Sequence, residues 1–290
     1  MKGPRPATRR IDRVNLIRAV FGFLSKAWPS LAARWAGRLF ATPRSIQRPE
    51  SEMPYFMSAT KRSYEFDGRK IALYEWGQGA ETVILVHGWG SRGTRLGSLA
   101  EPLNRRGFKV VAFDMPAHGD SDGKTTHLPE IVELLAQLHA KYAPVHALVG
   151  HSFGGMAVTA ALHHHKLTVR RAAVIASPYT MDYIVESFAQ TINITPDVTR
   201  RMIATLNKRL KKFLYINVDD LSPARLVKTL PLPVIVFHDK QDRDVDFEQG
   251  VGYSEGFPNA KFVPTDGLGH RRILKDENVI STLVEFVSKR

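Results

Sequence analysis

Apolar residues along the chain fall into two patterns. The first is a set of short, unbroken runs: Thr82-Val83-Ile84-Leu85-Val86, Val110-Val111-Ala112, His146-Ala147-Leu148-Val149, Val234-Ile235-Val236-Phe237 and Lys261-Phe262-Val263-Pro264. Runs of this length without alternation predict buried strands. The second pattern repeats every three or four residues. Val14, Ile17, Val20-Phe21, Leu24 and Trp28 form one such series, and Leu31, Trp35 and Leu39-Phe40 another. They predict two amphipathic helices broken at Trp28-Pro29-Ser30. A third series, Val198, Met202, Leu206, Leu210 and Phe213, follows Thr195-Pro196-Asp197, which carries the cap residue, first-turn proline and acid of a helix start.

One strand-to-helix junction carries chemistry. Between the run ending at Val149 and the Ala-rich helical stretch Met156–Leu162 lies Gly150-His151-Ser152-Phe153-Gly154-Gly155. A glycine two positions before Ser152 and another two after it relieve a sharp turn whose flanking side chains would collide with backbone. Such a turn lifts the Ser152 hydroxyl clear of the sheet and aims the Phe153 N–H at the space before it. By itself the spacing also fits a Gly-rich loop with a helix-capping serine. A serine nucleophile further needs a base and an acid to orient that base. Asp242 follows the run ending at Phe237, and His270 follows Thr265-Asp266-Gly267-Leu268-Gly269, completing the order Ser152, Asp242, His270.

With these motifs the chain resembles the alpha/beta-hydrolase superfamily, in its branch of serine esterases, lipases and peptidases. His87-Gly88-Trp89-Gly90 stands after a strand where that family has its oxyanion loop. Asp114-Met115-Pro116-Ala117-His118-Gly119-Asp120-Ser121 is similar to the family's D-x-P-G-H-G-x-S loop, with Ala117 in place of the usual glycine. The resemblance covers about 61–290. It implies an α/β fold: a mostly parallel sheet flanked by helices, with a helical cap inserted at about 179–230. It implies Ser152 as nucleophile, His270 as base and Asp242 as acid, the last through the Asp242-to-Val245 D-x-x-V pattern. Asp182 stays open as the acid, because some family members carry it after the preceding strand; Asp239, Asp244 and Asp246 also compete. The oxyanion donors are the N–H groups of Trp89 and Phe153, with His87, Gly88, Gly150 and Gly154 as supporting scaffold.

The 290 residues suffice for one large α/β domain with an insertion, and the absence of cysteine excludes disulfides, a thiol nucleophile and zinc-thiolate sites. Charge is unevenly placed. Residues 1–49 hold eleven Lys and Arg against Asp12, which is +10 of the chain's +13. The remainder is nearly balanced, so its chemistry does not follow from the basic total. No nucleic-acid motif accompanies the charge, and nucleic acid is not an expected partner. Residues 1–60 thus read as a basic helical extension. Its longest apolar run, Ala19–Leu24, is too short for a membrane span or a signal-peptide core, and no hydrophobic segment follows Arg9-Arg10. Three readings stand: helices folded back on the domain, helices laid on an anionic membrane surface, or an organelle presequence. The protein is expected to be cytoplasmic, with peripheral membrane association under the second.

In the insertion, Lys208, Arg209, Lys211 and Lys212 suit the C-terminal end of a helix. Tyr179, Met181, Tyr183, Ile184 and Phe188 suit either an acyl pocket or the cap's own core. His163, His164 and His165 are consecutive, point about 100° apart on a helix and cannot chelate one metal; they read as surface. The expected reaction is hydrolysis of a carboxylic ester or thioester, small or lipid-like, through an acyl-enzyme and without metal or cofactor. A carbon–carbon bond hydrolase, a peptidase or a perhydrolase would keep the same three residues. A non-catalytic interaction module of the same fold is the alternative of another class.

Overall fold

The computed structural model describes residues 13–44, 46–210 and 217–289. Its strands are β1 (Thr60–Phe66), β2 (Arg69–Trp76), β3 (Thr82–Val86), β4 (Lys109–Phe113), β5 (Val145–His151), β6 (Arg171–Ile175), β7 (Val234–Asp239) and β8 (Ala260–Thr265). They form one sheet in the order β1-β2-β4-β3-β5-β6-β7-β8. From β4 to β8 all neighbours pair in parallel, and β2 is antiparallel to both β1 and β4. The unbroken apolar runs have their cause here. β3, β5 and β7 lie inside the sheet, and helices cover both faces, so every residue of these strands is buried.

The helices are α1 (Arg13–Ala27), α2 (Pro29–Phe40), α3 (Met53–Ser58), α4 (Gly97–Arg105), α5 (Leu128–Lys141), α6 (Phe153–His164), α7 (Met181–Ile192), α8 (Pro196–Leu210), α9 (Pro223–Leu226), α10 (Phe247–Gly256), α11 (Gly269–Arg272) and α12 (Glu277–Ser288). On one face of the sheet α5, α6 and α10 bury Leu135, Met156 and Tyr253; on the other α4 and α12 bury Leu99, Leu103 and Leu283. Both faces are therefore dry, as a doubly covered parallel sheet requires.

α7, α8 and α9 fill the segment between β6 and β7. Thr195 Oγ1 accepts the Val198 N–H at the start of α8, whose Val198 and Met202 are buried. Phe213, Lys211 and Lys212 lie outside the described residues. The two leading helices dock here. Phe21 and Leu24 of α1 and Ala32, Ala33 and Ala36 of α2 share a core with Val185, Ile192, Val198 and Met202. The Arg18 guanidinium donates to the carbonyls of Gln190 and Thr191 (2.7 and 3.1 Å), where a cation meets the negative end of α7. Residues 13–40 thus fold back on the domain. No helix among the described residues is long and apolar enough to cross a membrane.

Candidate functional site

Ser152 stands between the end of β5 and the first turn of α6 with φ 54 and ψ −126, a conformation that side chains other than glycine rarely hold. Its N–H donates to the Ile175 carbonyl (2.9 Å), which fixes the turn to the neighbouring strand. The flanking glycines are needed for space. A side chain at Gly154 would run into the Val86 carbonyl, and one at Gly150 into that of Gly154. The backbone of Gly88 approaches just as closely: a Cβ there would sit 2.8 Å from that of Ser152. The loop after β3 is therefore pressed against the serine.

His270 and Asp242 come from loops after β8 and β7 and meet at 2.8 Å, His270 Nδ1 donating to Asp242 Oδ2. The other Asp242 oxygen accepts the N–H groups of Asp244 and Val245 (2.8 and 2.9 Å). Burial opposes ionisation of this carboxyl. The hydrogen bond from His270 and the two backbone donors outweigh that cost and hold the carboxyl below its ordinary value. Asp182 is exposed in the first turn of α7, and among the described residues no hydrogen bond or ion pair joins it to His270. Asp239 instead ties the loop together, accepting from Gln241, Thr265 and Leu268. Asp244 faces Arg271, and the Asp246 N–H donates to Tyr183. Among the described residues no side-chain hydrogen bond joins Ser152 to His270. The link between them is indirect: His151, next to Ser152, donates from Nε2 to the His270 carbonyl (2.9 Å) and packs its ring 4.8 Å from the His270 ring.

The loops before Ser152 have their own frame. His87 Nε2 accepts the Met115 N–H (2.9 Å) while Nδ1 donates to the Gly88 carbonyl (2.7 Å), joining the loops after β3 and β4. Asp114 accepts the N–H groups of Gly93 and Asp120, both at 2.7 Å, and the Tyr74 hydroxyl at 2.9 Å. Ser121 closes the same loop by donating to the Asp114 carbonyl. Among the described residues the N–H groups of Trp89 and Phe153 donate to no backbone carbonyl. Their rings touch edge to face at 5.3 Å, which brings the two loops together beside Ser152.

Ala117 has φ 63, in the left-handed region, where the Cβ costs about 1–2 kcal/mol. Its N–H donates to Asp122, so the turn is imposed by the loop. Ala117→Gly is expected to raise stability by about 0.5–1 kcal/mol, the strain relieved less the extra entropy of the unfolded chain. Urea unfolding measures it, and a destabilised variant would show that the Ala117 methyl contributes packing worth more than the strain.

Three histidines around the site are buried and neutral. Burial drives His87 well below its ordinary value, His118 down to about 4 and His151 down to about 3. The unfolded chain takes up their protons below pH ~6.5, and the fold refuses them. Stability is therefore lost as pH falls from about 6.5 towards 4. Asp114, pushed up to about 6 by burial, acts in the opposite sense over part of that window. Among these four groups the three histidines outweigh the one carboxyl, so the net effect is a loss of stability as pH falls. Melting curves between pH 7 and 5 should show this loss, and a flat profile would mean that the histidines are charged in the fold.

In front of Ser152 lies a cavity of about 280 Å³, whose wall includes Trp89, Phe153, Met181, Tyr183, Ile184, Phe188, Leu206 and Leu221. Tyr179 is not among them and packs against Tyr253 at 5.2 Å. Phe40 and Ala41, at the end of α2, line the cavity too, as do Thr126 to Pro129. Neither contribution was read from the sequence. Arg48 was likewise counted only as charge, yet it bonds Asp120 and Tyr74 (2.7 and 3.0 Å) and braces the Asp114 loop. His163, His164 and His165 are half-buried; the first two bond separately to Thr229 and the Asp220 carbonyl, and His165 Nε2 lies 3.5 Å from a Glu133 carboxylate oxygen. Among the described residues no group of three or more His, Asp or Glu is placed to hold a metal ion.

A family model described as the alpha/beta hydrolase fold matches residues 81–204. The pimeloyl-[acyl-carrier protein] methyl ester esterase of Vibrio cholerae is 31% identical over 175 residues, which is 57% of this chain and only 64% of that relative's length. The 2-hydroxymuconate semialdehyde hydrolase of Pseudomonas putida is 24% identical over 257 residues, covering 75% of this chain and 90% of that one. Among solved structures, alpha/beta hydrolase domain-containing protein 10 from mouse has a TM-score of 0.62 at 18% identity, covering 79% of this chain and 97% of that one. These two curated relatives are named as an esterase and a hydrolase, and the mouse structure shares the strand-and-helix plan. By sheet order and by these matches, the chain has the alpha/beta-hydrolase fold.

Proposed function

We propose that this protein hydrolyses carboxylic esters, acyl-ester or thioester, through an acyl-enzyme on Ser152. The observation that carries the reading is the strained Ser152 turn beside a histidine whose Nδ1–H is committed to a buried, ionised Asp242. That commitment leaves His270 Nε2 unprotonated and able to act as a base. As the Ser152 hydroxyl attacks the carbonyl carbon, its proton passes to Nε2. The carbonyl oxygen becomes an oxyanion held by the N–H groups of Trp89 and Phe153, where one donor is worth about 3 kcal/mol of barrier. His270 then protonates the leaving alcohol or thiol, and water, deprotonated by the same nitrogen, releases the acid.

The helices between β6 and β7 act as a cap over this chemistry. Tyr183, Ile184, Phe188 and Leu206 give the cavity an apolar wall that suits an uncharged acyl group. The Vibrio relative is an esterase of a methyl ester, a bond of the class proposed here. The test is labelling by a fluorophosphonate probe together with turnover of p-nitrophenyl esters of increasing acyl length. Labelling and ester turnover are expected. A protein that folds, labels with nothing and cleaves no ester would be a non-catalytic module. Labelling without ester turnover would turn the reading towards carbon–carbon bond hydrolysis, the class to which the Pseudomonas relative's name points.

A further inference from the structure

α1 carries two apolar stripes. One, through Phe21 and Leu24, is spent in the contact with α7 and α8. The other, Leu16, Val20 and Phe23, recurs at helical spacing about 100° further round. It remains 53%, 39% and 63% exposed. Trp28 and Trp35 continue it, each more than half exposed, with the Phe23 and Trp28 rings edge to face at 5.9 Å. Leu16, Val20, Trp35 and Leu39 line an open groove of about 590 Å³ between α1 and α2. Apolar exposure of this extent marks an interaction surface.

Charge says what covers it. Lys26, Arg34, Arg38 and Arg44 are exposed on or just after the same two helices, and among the described residues no acid lies within ion-pair distance of them. Residues 1–12 add four cations against one acid. A second copy of the chain placed on this face would set arginine against arginine, an unfavourable contact. An anionic lipid surface accepts both components: aromatic and aliphatic side chains enter the interfacial layer while the cations meet headgroup charge.

We propose that the exposed face of α1 and α2 docks on an anionic lipid bilayer. α2 joins this face to the cavity, because Trp35 lies in the groove while Phe40 lines the space before Ser152. A lipophilic ester dissolved in the bilayer therefore has a short route into the cavity. The docking itself is independent of the catalytic reading, and Ser152→Ala protein binds vesicles as well as the wild type does.

The experiment is co-sedimentation of the full chain with vesicles of phosphatidylcholine, with and without phosphatidylserine. Binding is expected only when phosphatidylserine is present, and it is reversed by high salt. The double variant Trp28→Ser/Trp35→Ser should bind at least about tenfold more weakly, and each of Arg34→Gln and Arg38→Gln about fivefold. All four positions are exposed, so melting temperature and turnover of a short soluble ester stay at wild-type values. Full-length protein that ignores the vesicles, or a tryptophan variant that binds them undiminished, overturns the proposal. So does a dimer in solution that the tryptophan variant dissolves, since the occupant of the face would then be a second copy.

Discussion

Ser152→Ala is expected to abolish fluorophosphonate labelling and to lower kcat for p-nitrophenyl esters by on the order of 10⁶-fold, the loss seen when a serine nucleophile is removed from a cooperating set. The reason is covalent: without Oγ no acyl-enzyme forms, and neither His270 nor the Trp89 and Phe153 donors can replace the bond. Alanine keeps the strained φ of 54, so the melting temperature should barely move. Ser152→Gly supplies the control for folding. It removes the same hydroxyl, yet glycine holds this conformation without the roughly 1–3 kcal/mol of strain, so that variant should be inactive and at least as stable as the wild type. Equal labelling of Ser152→Ala and wild type would move the nucleophile elsewhere.

Asp242→Asn should cut kcat by about 10⁴-fold while the fold persists. The local geometry gives the reason. Oδ1 of residue 242 is held by the N–H groups of Asp244 and Val245, which an asparagine carbonyl can still satisfy. Its amide nitrogen then takes the place of Oδ2 and faces His270 Nδ1 as donor against donor. The imidazole answers by moving its proton to Nε2, the nitrogen that must accept the proton of Ser152. Asp182→Asn, at an exposed helix start, should change kcat by less than about twofold. A large loss from that variant with none from Asp242→Asn would reassign the acid to the end of the preceding strand.

The parts of the fold that were legible share one property: their cause lies within a few residues. β3 was readable to its last residue because a strand buried on both faces must be apolar throughout. The break between α1 and α2 lies at Trp28, where a proline cannot continue the preceding hydrogen bonds. By contrast β1, Thr-Lys-Arg-Ser-Tyr-Glu-Phe, lies at the sheet edge with most side chains exposed, so no apolar pattern marked it. Its hairpin signal was present all the same in Asp67-Gly68, both at positive φ.

At the site the same division holds. The spacing of Gly150, Ser152 and Gly154 is written in the sequence because the collisions it avoids, with the Val86 and Gly154 carbonyls, belong to any tight strand-to-helix turn. The placing of the acid was different. Asp239, Asp242, Asp244 and Asp246 all follow β7 within a few residues, and only the folded loop, with two backbone N–H groups turned onto Asp242, sets that one against His270. The wall that Phe40 adds to the cavity and the anchor that His151 gives the His270 carbonyl likewise join segments far apart in the chain. For the leading helices the sequence determined that they form and that they are amphipathic, since periodicity and proline act locally. Which stripe of α1 is covered and which is left to solvent was decided by tertiary structure alone, because α7 and α8 offer one apolar surface and α1 has two to place against it.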